Sequence, residues 1–163
     1  MESLYKKWFE YLENPLAYTS YYKEPEDKLL VNIEKIKIEW EETRIIIRGT
    51  LIKFPDTPPD RWAFHNHDAA TIELALTSFN TVKIEDNLKR NKAGAGIDEK
   101  RLGKYLGYPE VLNITEIMVS RLNDEHLLIK ASGEGCSFEI TCFFLRVNSI
   151  KGYNKEQAVK AYW

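Results

Sequence analysis

The sequence predicts a mainly β (α+β) domain: an antiparallel β-sandwich or strongly curved sheet of about seven strands, with a short N-terminal helix and a second short helix at the C-terminus. Two observations carry this prediction. Apolar and polar residues alternate over most of residues 29–86 and again over 111–150. Short turn signals separate many of these runs, so that hairpins account for most of the connections: Glu41-Glu42, Asn123-Asp124 and Gly133-Glu134-Gly135. A closed barrel is the second arrangement that such a pattern allows. At 163 residues the chain suits a single domain, 1–163, and a core of that size needs neither a disulfide nor a metal.

Taken in order, residues 2–12 place Leu4, Trp8, Phe9 and Leu12 on one helical stripe. Asn14-Pro15 ends that helix, because the residue before proline is pushed out of the helical region. Residues 16–28 form a polar, tyrosine-rich connector. In LLVNIEKIKIEW, Val31 and Ile33 alternate in one phase and Ile36, Ile38 and Trp40 in the other, which predicts a bulge near Glu34-Lys35. TRIIIRGTLIKF (43–54) is the hairpin partner. Ala70, Ile72, Leu74 and Leu76 share the face of the next strand, and Val82 and Ile84 mark a further one. Residues 87–110 break the pattern. They read as an excursion, mobile over 89–97, with a short helix from Asp98 to Leu106. Strands resume at 111–122, 126–133 and 136–150, the last with Phe138, Ile140, Cys142 and Phe144 on one face. KEQAVKAYW can close the chain as a helix.

The net charge of −2 gives no general drive toward nucleic acid or anionic membrane. The charge is uneven: residues 1–87 hold 11 basic and 16 acidic side chains, and residues 88–163 hold 12 and 9. An acidic half of this kind either steers a basic partner or is an ordinary solvated surface. Cys136 and Cys142 lie six residues apart on one strand, about 20 Å at 3.3 Å per residue, too far for a disulfide. Unbridged thiols fit a reducing cytoplasm. MESLYKKWFEYL is too charged for a signal peptide, and no apolar run reaches a membrane span.

The chemistry-bearing residues concentrate in FPDTPPDRWAFHNHD, residues 54–68. His65, His67 and Asp68 are the best metal-ligating candidates, since two imidazoles and a carboxylate can hold zinc. A fourth ligand is missing, and a polar loop leading into a strand is the other reading. Pro58-Pro59 stiffens the loop ahead of Asp60, Arg61 and Trp62. Arg and Trp are the residue types that dominate binding hot spots. A rigid loop presenting Arg61 and Trp62 is therefore a recognition element, unless Trp62 folds back to cap the sheet. Lys89, Arg90, Lys92 and the glycines at 94 and 96 lack the spacing of a phosphate-binding loop. No cofactor is implied, and no paired carboxylates, Ser–His or Cys–His pattern points to catalysis.

Leu51-Ile52-Lys53-Phe54 runs into Pro55-Asp56-x-Pro58-Pro59-x-Arg61-Trp62. An alternating strand pair comes next, over 70–86, and the last strand closes on Val147-Asn148-Ser149-Ile150-Lys151-Gly152-Tyr153. In this order the features resemble the immunity-protein-50 group of bacterial polymorphic toxin systems, over roughly residues 30–153. The segment at 88–110 is longer than that group's pattern. The resemblance implies a cytoplasmic, non-catalytic protein that neutralises one cognate toxin by binding it. It implies no nucleic acid or membrane partner. The alternative is a small-ligand or metal-binding β-domain using His65, His67 and Asp68.

Overall fold

A computed structural model describes residues 6–86, 114–133 and 136–156. Its strands are β1 (Leu29–Glu39), β2 (Arg44–Leu51), β3 (Ala69–Asp86), β4 (Ile114–Arg121), β5 (Leu127–Gly133) and β6 (Cys136–Tyr153). All neighbours pair antiparallel, in the order β1-β2-β3-β6-β5-β4, and β4 returns to β1. The curved sheet therefore closes into a barrel. Among the described residues the seam pairs Leu29 with Ile117 and Leu30 with Glu116, with Lys28 ion-paired to Glu116 at 3.1 Å.

Six strands stand among the described residues where about seven were expected. The runs at 70–78 and 82–86 are one strand, β3, bent rather than broken. Ser78 takes a φ of 55°, and the pairing with β6 slips between Phe79 and Thr81. That bend also turns β6. Phe138, Ile140 and Cys142 point inward as the alternation requires, but Phe144 does not; it is 49% exposed. Phe143 and Phe144 both face out, and the inward phase restarts at Leu145 and Val147. Thr141, at the bend, is buried, and a bond between its hydroxyl and that of Thr81 at 2.7 Å satisfies the group there. The bulge expected in β1 is present, with the register shifting between Ile33 and Lys35.

The two described hairpin turns close differently, one through a side chain and one through the backbone. Asn123 Oδ1 accepts the amides of Glu125 and His126 at 2.9 and 2.8 Å, a local bond that closes the β4–β5 hairpin. Between β1 and β2 the chain reverses through Glu41-Glu42, with the Thr43 amide donating to the Trp40 carbonyl.

Of the N-terminal helix expected over 2–12, residues 2–5 lie outside the described residues, and residues 6–12 form a 3-10 turn, Trp8–Tyr11, succeeded by a four-residue helix α1 (Leu16–Thr19) inside the stretch read as connector. Tertiary pairing overrides the helical stripe here. β5 stops accompanying β6 at Cys142, which leaves the β6 edge open beyond it. Residues 12–14 take that edge: Leu12 bridges Leu145, and Asn14 exchanges side-chain bonds with both backbone groups of Val147 at 2.8 and 2.9 Å. Trp8, Tyr18 and Tyr22 then fill one flank of the core in a chain of ring contacts of 4.6 and 5.0 Å. The excursion at 87–110, the turn at 134–135 and the C-terminal helix beyond Glu156 lie outside the described residues. Cys136 and Cys142 are buried and form no disulfide.

Burial of titratable groups predicts an alkaline limit to stability. Burial pushes the Tyr18 phenol from 10.0 up to about 12, and the Cys142 thiol from 9.0 up to about 12; it raises Tyr22 as well. Each group holds its proton more tightly folded than unfolded. The stability this confers is complete below pH 9.0 and is lost as pH climbs through 12. The melting temperature is expected to hold up to about pH 9 and then fall, and Tyr18→Phe should shallow the fall above about pH 10. An unchanged slope in that variant would show that Tyr18 is not responsible.

Candidate functional site in the 54–68 loop

The loop from Phe54 to Asp68 is ordered by three sets of bonds. Its first part is tied to the segment after α1: Tyr22 Oη donates to the Lys53 carbonyl at 2.7 Å, the Thr57 amide to the Tyr21 carbonyl at 3.0 Å, and Thr57 Oγ1 to the Ser20 carbonyl at 2.7 Å. Its middle is a helix that sequence reasoning missed, α2 (Asp60–Phe64). Pro59 precedes it in extended geometry and Asp60 opens its first turn, two ordinary helix-start signals in a segment read as loop. Its end is pinned to the last residue of β6 and to Asn154 and Lys155 just beyond. The Asp68 amide donates to the Tyr153 carbonyl, the Lys155 amide to Asp68 Oδ1 at 3.0 Å, and Asn154 Nδ2 to the Asn66 carbonyl at 3.0 Å.

The helix sends Trp62 inward. The indole is 3% exposed and packs between Tyr21, Phe54 and His67, with ring centroids 5.6, 6.0 and 6.0 Å away. Of the two readings of Trp62, the cap describes its position, and an indole displayed in solvent as a binding hot spot does not. Gly152 explains how the ring comes so close to the sheet. A β-carbon there would stand 2.6 Å from the indole and 2.5 Å from His67 Nδ1. Only hydrogen fits between backbone and rings at this point. The closing Gly-Tyr of the sequence is thus the floor beneath the Pro-Pro-x-Arg-Trp loop.

With Trp62 turned in, Asp60, Arg61 and Phe64 are turned out. Phe64 is 84% exposed, the most exposed large apolar side chain among the described residues, and its ring meets His65 edge-on at 5.2 Å. Phe64 was not singled out in the sequence, because an aromatic two residues from a buried tryptophan reads as core until the helix separates their faces.

The structure places the three metal-ligating candidates differently. His65 and His67 do come together, with ring centroids 5.7 Å apart and nearly parallel. Asp68 accepts the Lys155 amide with one carboxylate oxygen, and His67 Nδ1 is buried against Gly152 with no hydrogen-bond partner among the described residues. No group of three or more His, Cys, Asp or Glu suited to a metal ion occurs among the described residues. Asn66, between the two histidines, takes a φ of 56° in the left-handed region where the chain leaves α2.

No helix among the described residues is long and apolar enough to cross a membrane. No family model matches the sequence, and no curated protein matches it. The structure is similar to the crystal structure of an uncharacterized protein from Neisseria gonorrhoeae, with a TM-score of 0.44 and 10% sequence identity, over 74% of this chain and 91% of that one. No residue role transfers at that level of likeness.

Proposed function

We propose that this chain is a non-catalytic immunity protein that binds a cognate toxin domain in the bacterial cytoplasm and blocks it stoichiometrically. The observation that carries the reading is Phe64, 84% exposed on a turn that Trp62 holds from beneath. A large aromatic kept in water on a rigid support loses little conformational entropy when a partner covers it. Aromatic and arginine side chains are also what interface cores concentrate. The resemblance to the immunity-protein-50 group falls on this same loop. In this reading Phe64 and Arg61 make the contact, Asp60 stands at its rim, and Trp62 supports the surface without touching the partner.

The test is co-expression with the product of the adjacent toxin gene, tagged on the toxin. The pair is expected to co-purify at equal stoichiometry. Arg61→Glu combined with Phe64→Asp should keep the melting temperature and weaken binding about thirtyfold or more, the mark of a hot spot. A neighbour product that does not bind would overturn the function, and full-strength binding by the double variant would move the contact to another surface.

A further inference from the structure

On the outer face of the barrel, β1 and β2 carry three facing pairs: Lys35 with Arg48, Lys37 with Ile46, and Glu39 with Arg44. These side chains line a groove of about 300 Å³, closed on its far side by Glu73 and Asn148. None of the lining residues belongs to the 54–68 loop, so the inference is independent of the toxin reading.

The charges of the groove are unequally used. Arg44 bonds the Glu39 carboxylate through Nη2 at 2.8 Å and Nε at 3.3 Å, which holds that carboxyl below its ordinary range. Glu73 accepts from Asn148 at 3.2 Å. By contrast, Lys35, Lys37 and Arg48 form no ion pair with any described residue. The groove thus sets four cations, Lys35, Lys37, Arg44 and Arg48, against two carboxylates, Glu39 and Glu73, a local excess of positive charge on one concave face of a chain whose net charge is −2.

We propose that this groove binds an extended acidic segment of a protein partner. Lys35 and Lys37 stand two residues apart on β1, about 6.6–6.8 Å, which is the spacing of alternate side chains in an extended peptide. Arg48 lies across from Lys35, about 5 Å away, and adds a second cation at that end, where Glu73 faces it from β3. An extended segment with carboxylates at alternate positions would set one carboxylate at the Lys35–Arg48 pair and the next at Lys37. Its intervening side chains would face away, and its backbone would lie over Ile46. A nucleic-acid strand fits less well, because Glu39 and Glu73 flank the groove and its floor holds an aliphatic residue where a base would need an aromatic one.

The experiment uses the whole chain and an eight-residue synthetic peptide with glutamate at alternate positions, with binding read by calorimetry at low ionic strength. The peptide is expected to bind, to lose affinity with added salt, and to bind at least tenfold more weakly to Lys35→Glu/Arg48→Glu protein of unchanged melting temperature. Three results would overturn the proposal: no binding at low salt, equal binding by the charge-reversed protein, or equal binding of a peptide with its four glutamates in one block. Equal or tighter binding of a single-stranded oligonucleotide through the same two residues would make the groove a nucleic-acid site instead.

Discussion

Replacing Trp62 by alanine is expected to cost about 3–5 kcal/mol of stability, the usual penalty for deleting a buried aromatic ring. The upper part of that range applies where surroundings cannot collapse into the space left behind, and here they are held. The backbone before α2 is stiffened by Pro58 and Pro59. The backbone after it is pinned by the Asp68–Lys155 and Asn66–Asn154 bonds. The floor is a glycine whose missing side chain cannot refill the void. Tyr21 and Phe54 would be left facing a cavity. Chemical denaturation should show a lower midpoint with little change in slope, and Trp62→Phe should recover part of the loss. A loss below about 1 kcal/mol would mean that the indole is not the cap the structure makes it.

Trp8→Ala is expected to be as costly, again about 3–5 kcal/mol, but with a different signature. Trp8 is 1% exposed and meets Tyr18 edge-on at 4.6 Å and Phe9 at 6.3 Å. It anchors the segment whose residues 12–14 cover the open edge of β6. Its loss should free that segment as well as leave a cavity. The amides of Glu13, bonded to the Leu145 carbonyl at 2.8 Å, and Val147, bonded to Asn14 Oδ1 at 2.9 Å, should exchange faster in hydrogen-exchange measurements. Amides in the β2–β3 ladder should keep their protection relative to global stability. Unchanged exchange at Glu13 and Val147 would separate the tryptophan from the docking of the N-terminal segment.

Much of the sheet was legible because strands announce themselves by a local period. The alternation in Ile72, Leu74 and Leu76 needs no partner to be read, and the phase slip between Ile33 and Ile36 located the β1 bulge. The same reasoning failed where a long-range contact competes with a local pattern. Leu4, Trp8, Phe9 and Leu12 have helical spacing, yet the β6 edge offers residues 12–14 backbone bonds that a helix would forgo. Phe144 continues the alternation of Cys142, yet the bend at Thr141 faces it outward.

At the candidate site the residue types pointed to the right stretch of chain, because proline stiffness and the chemistry of Arg, Trp and His are local properties. Their directions are not. Whether Trp62 faces solvent or core depends on α2 and on Gly152, far along the chain in β6. The groove of Lys35, Lys37 and Arg48 was equally hidden, since it exists only once β1 and β2 are in register. The order of residues alone therefore settles the β class, the main strands and the turns at Glu41-Glu42 and Asn123-Asp124, all of which arise from short-range sterics and the burial of alternate apolar side chains. Closure of the sheet through Leu29 and Ile117, the inward turn of Trp62 and the outward turn of Phe64 required the folded chain. Each depends on which distant backbone groups and surfaces meet, and a local period carries no information about that.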